Sequence, residues 1–153
     1  MTVDGGSTAG LFAGARTSNP GDGGRYGLFY AGIPFGSAST STAWLCGLQQ
    51  TATTRSNLAL VNTGEVDGSP SSFLVEIWDG ASGERSGETT VTVAARRQFQ
   101  INAVLSKIAP GVSSGYARIT RTDGANPFIA YGVLNDGASQ GSRSGDGAYV
   151  LSD

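Results

Sequence analysis

Apolar side chains in this sequence recur at every second position, in short runs separated by clusters of Gly, Asn, Asp and Ser. That spacing constrains the fold more than any other feature. Successive side chains of a strand point to opposite faces, whereas a helix repeats about every 3.6 residues. Phe73, Val75 and Ile77 share one face, with Leu74, Glu76 and Trp78 on the other. Asp79-Gly80-Ala81-Ser82-Gly83 breaks the run, and Thr89 to Ala94 resumes it, with Val91 and Val93 alternating with Thr90 and Thr92. These runs read as antiparallel neighbours joined by a long hairpin loop. Asn57 to Asn62 reads as a strand with Leu58 and Leu60 inward, and Gln98 to Ile101 as a short one with Phe99 and Ile101 inward. Tyr116 to Thr122 and Phe128 to Leu134 read as a further pair, turned by Asp123-Gly124-Ala125-Asn126. Only one segment reads as helix: Asn102 is its N-cap, Val104, Leu105 and Ile108 its apolar stripe, and Pro110-Gly111 its stop. The expectation is an all-β chain, an antiparallel β-sandwich with one short connecting helix, and a β-barrel is the alternative. A parallel α/β sheet is disfavoured, because its strands are buried on both faces and do not alternate.

The chain has 153 residues, 39% of them hydrophobic and 14% charged, enough for one core. A formal net charge of -2 argues against a nucleic-acid partner. No apolar run reaches the roughly 18 residues of a membrane-spanning helix, so membrane insertion is not expected. There is no histidine, which removes the commonest general base, zinc ligand and pH switch together. Cys46 is the only cysteine and sits in an apolar run with Trp44, so both read as small-core and core positions respectively. The opening residues lack the charged and apolar regions of a signal peptide. Lys107 is the only lysine among 10 basic residues, and Ser, Thr and Gly dominate the polar positions. That composition is common in exported β-rich proteins of GC-rich bacteria, and it points to an extracellular or cell-surface location.

The two ends of the chain look alike. Leu11-Phe12-Ala13-Gly14-Ala15-Arg16-Thr17-Ser18-Asn19 resembles Phe128-Ile129-Ala130-Tyr131-Gly132-Val133-Leu134-Asn135. Each is followed by a Gly-Asp-Gly loop and a short strand that carries an aromatic residue, Tyr26 or Tyr149. This repetition divides the chain into an N-terminal β-hairpin over 1–30, read as the end of a preceding repeat or a strand donated to a neighbour, and a β-sandwich domain over 31–153. Leu11, Phe12, Ala13, Ala15 and Thr17, with their counterparts Phe128, Ile129, Tyr131 and Val133, are the expected assembly edges. Edge strands bind through main-chain hydrogen bonds, and alternate side chains set the register.

Arg55-Ser56-Asn57-Leu58-Ala59-Leu60-Val61-Asn62-Thr63-Gly64 resembles the strand-and-turn opening of bacterial extracellular Ig-like repeat domains. Phe73 to Gly80 and Val91 to Ile101 continue the pattern, so the resemblance covers Arg55 to Leu134. It implies a secreted or surface-attached β-sandwich used for spacing, adhesion or assembly. The chain departs from disulfide-bearing Ig domains in lacking their Cys pair, and the resemblance assigns no ligand-binding residues.

Reactive chemistry finds little support. Ser106 is adjacent to Lys107, but neighbours on a helix do not face each other. Glu76 is the most interesting acid, because its face also carries Leu74 and Trp78; the plainer reading is a solvent-facing strand glutamate. Glu84 and Glu88 fall in the expected loop. Asp79 to Glu84, with Asn135, Asp136 and Asp146, offers oxygens for calcium, but that ion needs about 6–8 ligands and Asp-Gly is first a turn dipeptide. No metal site and no cofactor are therefore expected. Arg96 and Arg97 fall on opposite faces and form no patch. Tyr116 resembles a tyrosine corner, its hydroxyl tied back to backbone. The leading expectation is a non-enzymatic structural or adhesive module of an exported bacterial protein that self-associates or joins tandem copies. The alternative is a carbohydrate-binding module that holds a polysaccharide on Trp78, Glu76 and Asp79.

Overall fold

The computed structural model describes residues 12–21, 24–135 and 148–151. Ten strands and one helix follow in the order β1 (Gly14–Gly21), β2 (Gly24–Ala31), β3 (Thr42–Gln49), β4 (Arg55–Asn62), β5 (Ser71–Asp79), β6 (Arg85–Val93), β7 (Arg97–Ile101), α1 (Val104–Ile108), β8 (Ser114–Asp123), β9 (Phe128–Asn135) and β10 (Ala148–Leu151). They form a four-stranded sheet in the order β10-β9-β4-β7, a second in the order β3-β8-β5-β6, and a separate two-stranded ribbon, β1-β2. All the strand pairs are antiparallel. The two large sheets face each other as a sandwich and do not close into a barrel.

Alternation decides what lies between the sheets. Leu58 and Leu60 of β4 and Phe128 and Ala130 of β9 meet Leu45 of β3, Phe73, Val75 and Ile77 of β5, and Ala117 and Ile119 of β8; all are fully buried. The rings of Phe73 and Phe128 lie 4.9 Å apart between centroids and join the layers at the middle of the core. The helix α1 buries Val104 and Leu105 against this core. Its first turn is not capped by Asn102. Ala103 occupies the cap position with φ 50, and its N–H donates to Asn57 Oδ1 at 2.9 Å, while Asn102 accepts from the Gln100 side chain. A long-range partner on β4 has displaced the local one.

Three further expectations are corrected. The segments Tyr116 to Thr122 and Phe128 to Leu134 are not a hairpin. β8 pairs with β3 and β5, whereas β9 pairs with β4 and β10, so the 123–127 connection crosses between layers. Asn126 pins that crossing: its Oδ1 accepts from Val66 N–H and Asp67 N–H, and its amide donates to Asp67 and Ser69. Cys46 is exposed and Trp44 is 42% exposed, although both lie in an apolar run. A β-bulge explains the apolar density there. Leu45 faces Ala117 and Leu48 faces Gly115, so β3 carries one extra residue, accommodated at Gly47 with φ 78. Both leucines thereby stay inward, and Trp44, Cys46 and Gly47 are left outside. Phe99 does share the inner face with Leu60, its register partner, but β7 is an edge strand and the ring is 43% exposed. With Val91, Ile101, Lys107 and Ile108 it lines an open cleft between β6, β7 and α1.

Candidate functional site

The densest chemistry lies on the outer face of the β3-β8-β5-β6 sheet. Register places Trp44, Arg118, Glu76 and Glu88 in one row across the four strands. The next row carries Tyr116 opposite Trp78, with Arg85 beside Trp78 at a break in the β5–β6 register. Arg118 donates two hydrogen bonds to Glu76, Nε to Oε2 at 2.7 Å and Nη2 to Oε1 at 2.9 Å. Arg85 Nη1 bridges Glu76 Oε1 at 3.2 Å and Glu88 Oε2 at 2.5 Å. Three aromatic rings lie beside this network. Trp44 and Tyr116 have centroids 6.0 Å apart, and Tyr116 and Trp78 are 6.2 Å apart with planes 6° from parallel. The Arg118 guanidinium carbon sits 5.7 Å from both indole centroids, within cation–π range.

Glu76 therefore points away from the core, yet its side chain is only 3% exposed. The Arg118 hydrogen bonds hold its carboxyl below the usual glutamate range, against burial, which pushes it up; the charge of Arg118 and then Arg85 add to the depression. A depressed carboxylate contributes stability above its unfolded pKa and loses it as pH falls through the folded value. The stability advantage of the natural chain over Glu76→Gln should thus be full at neutral pH. It should begin to shrink near pH ~4.3 and disappear at lower pH. Urea midpoints of both proteins across an acid series check this; parallel curves would contradict it. Trp78 Nε1 is buried with no acceptor among the described residues, an unmet donor that costs about 1–3 kcal/mol.

Other expected positions separate from this cluster. Asp79 is spent on its own turn, with Oδ1 accepting from Ala81 N–H and its carbonyl from Gly83 N–H. Glu84 lies in that turn, but Glu88 belongs to β6. No group of metal-ligating residues occurs among the described residues. Asp136 and Asp146 lie outside them, as does Leu11. The Tyr116 ring packs between two tryptophans on the outer face, so the tyrosine-corner reading is replaced by a stacking one.

Protein-family models, curated proteins and solved structures were all compared with this chain, and none matches.

The assembly residues also divide. Phe12, Ala13, Ala15 and Thr17 are exposed on or just before β1. Phe128, Ile129, Tyr131 and Val133 belong to β9, which lies between β4 and β10. β4 pairs with it along its length, and on the other side β10 covers Tyr131 to Leu134 and Ser39 bridges Phe128, so β9 presents no continuous edge among the described residues. The bond from Gly32 N–H to Ala13 C=O at 2.7 Å fixes the alternation of the ribbon. Ala13, Ala15 and Thr17 bond towards β2, and the main-chain groups of Gly14 and Arg16 face the other side. The Phe29 ring lies over Gly14, where an added Cβ would come within 2.4 Å of it, and stacks on Phe12 with centroids 6.0 Å apart. Sequence reasoning missed Trp44, Tyr116 and Arg118 as members of one site. Their positions on alternating strands carried the signal, but only the pairing of β3, β8 and β5 brings them together.

Proposed function

We propose that this chain is a structural, adhesive module of an exported bacterial protein, joined to neighbouring copies through the edge of β1 that faces away from β2 at Gly14 to Arg16. One observation carries the reading. Aligning Asn19 with Asn135 also aligns Phe12 with Phe128, yet Phe128 is fully buried and Phe12 is 74% exposed. The two hairpins share a pattern, but β9 is completed by β4 and an opposing layer, whereas β1 pairs with β2 alone among the described strands. The ribbon meets the sandwich where Tyr30 of β2 packs against Tyr131 of β9, with ring centroids 6.1 Å apart, but a two-stranded ribbon with so little to pack on is marginal in water. A strand from another copy, added along Gly14 to Arg16, supplies the missing partner and covers Phe12 and Phe29. The likeness to extracellular Ig-like repeat domains and the lysine-poor composition support the same setting.

Arg16→Pro tests this. The Arg16 N–H faces away from β2, so proline removes a donor from the open edge and leaves the β1–β2 bonds intact. In sedimentation over a wide concentration series, the natural chain should form dimers or longer assemblies. Arg16→Pro should remain monomeric with an unchanged circular dichroism spectrum. A natural chain that stays monomeric throughout, or an Arg16→Pro variant that assembles equally well, defeats the reading.

A further inference from the structure

We propose that the outer face of the β3-β8-β5-β6 sheet binds a neutral polysaccharide of β-1,4-linked pyranose units, stacked on Trp44, Tyr116 and Trp78. This goes beyond the assembly role and uses the opposite kind of surface, side chains in place of backbone. Three features lead to it. The first is shape. The two indoles, the phenol and the Arg118 guanidinium form a closed figure whose neighbouring centres are 5.7–6.2 Å apart, and the Trp78 and Tyr116 planes are 6° from parallel. The rings come from three neighbouring strands of a rigid sheet, so the platform exists before any ligand arrives. Trp44, at the outer end of the row, is 42% exposed and is the ring most open to a ligand.

The second feature is charge. Two cations, Arg118 and Arg85, are matched by two anions, Glu76 and Glu88, within the cluster itself. An anionic ligand would have to break bonds already made at 2.7 and 2.9 Å. The face suits an uncharged partner. The third feature is what surrounds the rings. The row beyond Trp44 and Arg118 is Thr42, Thr120, Leu74 and Thr90, and the next holds Ser72 and Thr92, hydrogen-bonded to each other at 2.9 Å. Threonine hydroxyls on a strand are held in few rotamers. They offer both donors and acceptors to sugar hydroxyls at little entropic cost. Pyranoses linked β-1,4 carry their hydroxyls at the equator and expose flat C–H faces. Such a chain meets an aromatic row with its faces and a threonine row with its rim.

The arginine network has a distinct part here. It keeps Trp44 and Trp78 in place and is not itself offered to the ligand, so Arg118 is a positioning residue.

The test is retention of the full chain on microcrystalline cellulose and on insoluble β-mannan, at low and high salt. Trp44→Ala is compared with Phe99→Ala, which removes an exposed ring from the far cleft. The natural chain and Phe99→Ala should be retained on at least one polymer with little response to salt. Trp44→Ala should lose about tenfold in affinity, the equivalent of one aromatic stack. Its circular dichroism should be unchanged, because Trp44 lies outside the core. Absence of retention on both polymers overturns the proposal. So does equal retention of Trp44→Ala, or retention that salt abolishes.

Discussion

Phe73→Ala should lower the stability of the chain by about 4 kcal/mol, within the range of about 3–5 kcal/mol for such deletions in packed cores. The size of the effect follows from where the ring sits. Phe73 is fully buried on the inner face of β5, the strand flanked by β6 and β8. Its ring is 4.9 Å from that of Phe128 on the opposite sheet, so truncation removes contact between layers and not only within one. Neighbours held by sheet hydrogen bonds on both sides have little freedom to collapse into the space. For a domain of this size, the melting temperature should fall by roughly 10 °C. Urea and thermal unfolding give the value directly. A loss under about 1 kcal/mol would mean that the two sheets are not packed as described.

Asn126→Ala should be the second most damaging change, costing roughly 2–3 kcal/mol although it removes only a small polar group. Asn126 is fully buried and makes every side-chain hydrogen bond in the crossing from β8 to β9 that reaches the 66–69 segment. Without it, the Val66 and Asp67 N–H groups and the Asp67 carbonyl lose their partner together, while the Ser69 carbonyl keeps only Asn62 Nδ2. Asn126→Asp separates the acceptor from the donor role, since the carboxylate still accepts from the two N–H groups but cannot donate. It should be at least as damaging as Asn126→Ala, because the oxygen that replaces the donor meets the Asp67 carboxylate and the Asp67 and Ser69 carbonyls in a buried site. Urea midpoints of both variants, with faster amide exchange at Val66 and Asp67 in Asn126→Ala, check the assignment.

The sandwich was readable because burial on one face leaves a period-two trace. Leu58, Leu60, Phe73, Val75 and Ile77 all lie where alternation places them. Pairing was less legible. Asp123-Gly124-Ala125-Asn126 has the chemistry of a tight hairpin, and Gly124 does adopt φ 88, but a turn residue fixes a local bend and not the sheet its flanks join. Asn126 shows the competing force, a buried side chain bonded to residues some sixty positions away. The outer-face cluster escaped for a related reason. The sequence places Glu76 on a mixed face, but its partners Arg118 and Arg85 reach it only from the strands on either side, and the indoles meet Arg118 in turn. Trp44 and Cys46 lie outside although their apolar run predicts an inward face, because the extra residue at Gly47 lets two leucines share the inner side.

The order in which strands meet has a consequence for biosynthesis. β4 acquires β9 through pairs such as Arg55 with Asn135, so a growing polypeptide presents β4 long before its permanent neighbour leaves the ribosome. Topologies dominated by such distant pairings close slowly, on the order of milliseconds to seconds. Until β9 emerges, that side of β4 has no native neighbour, so the moment at which this sheet can close is set by a strand made some seventy residues later and not by the local hairpins.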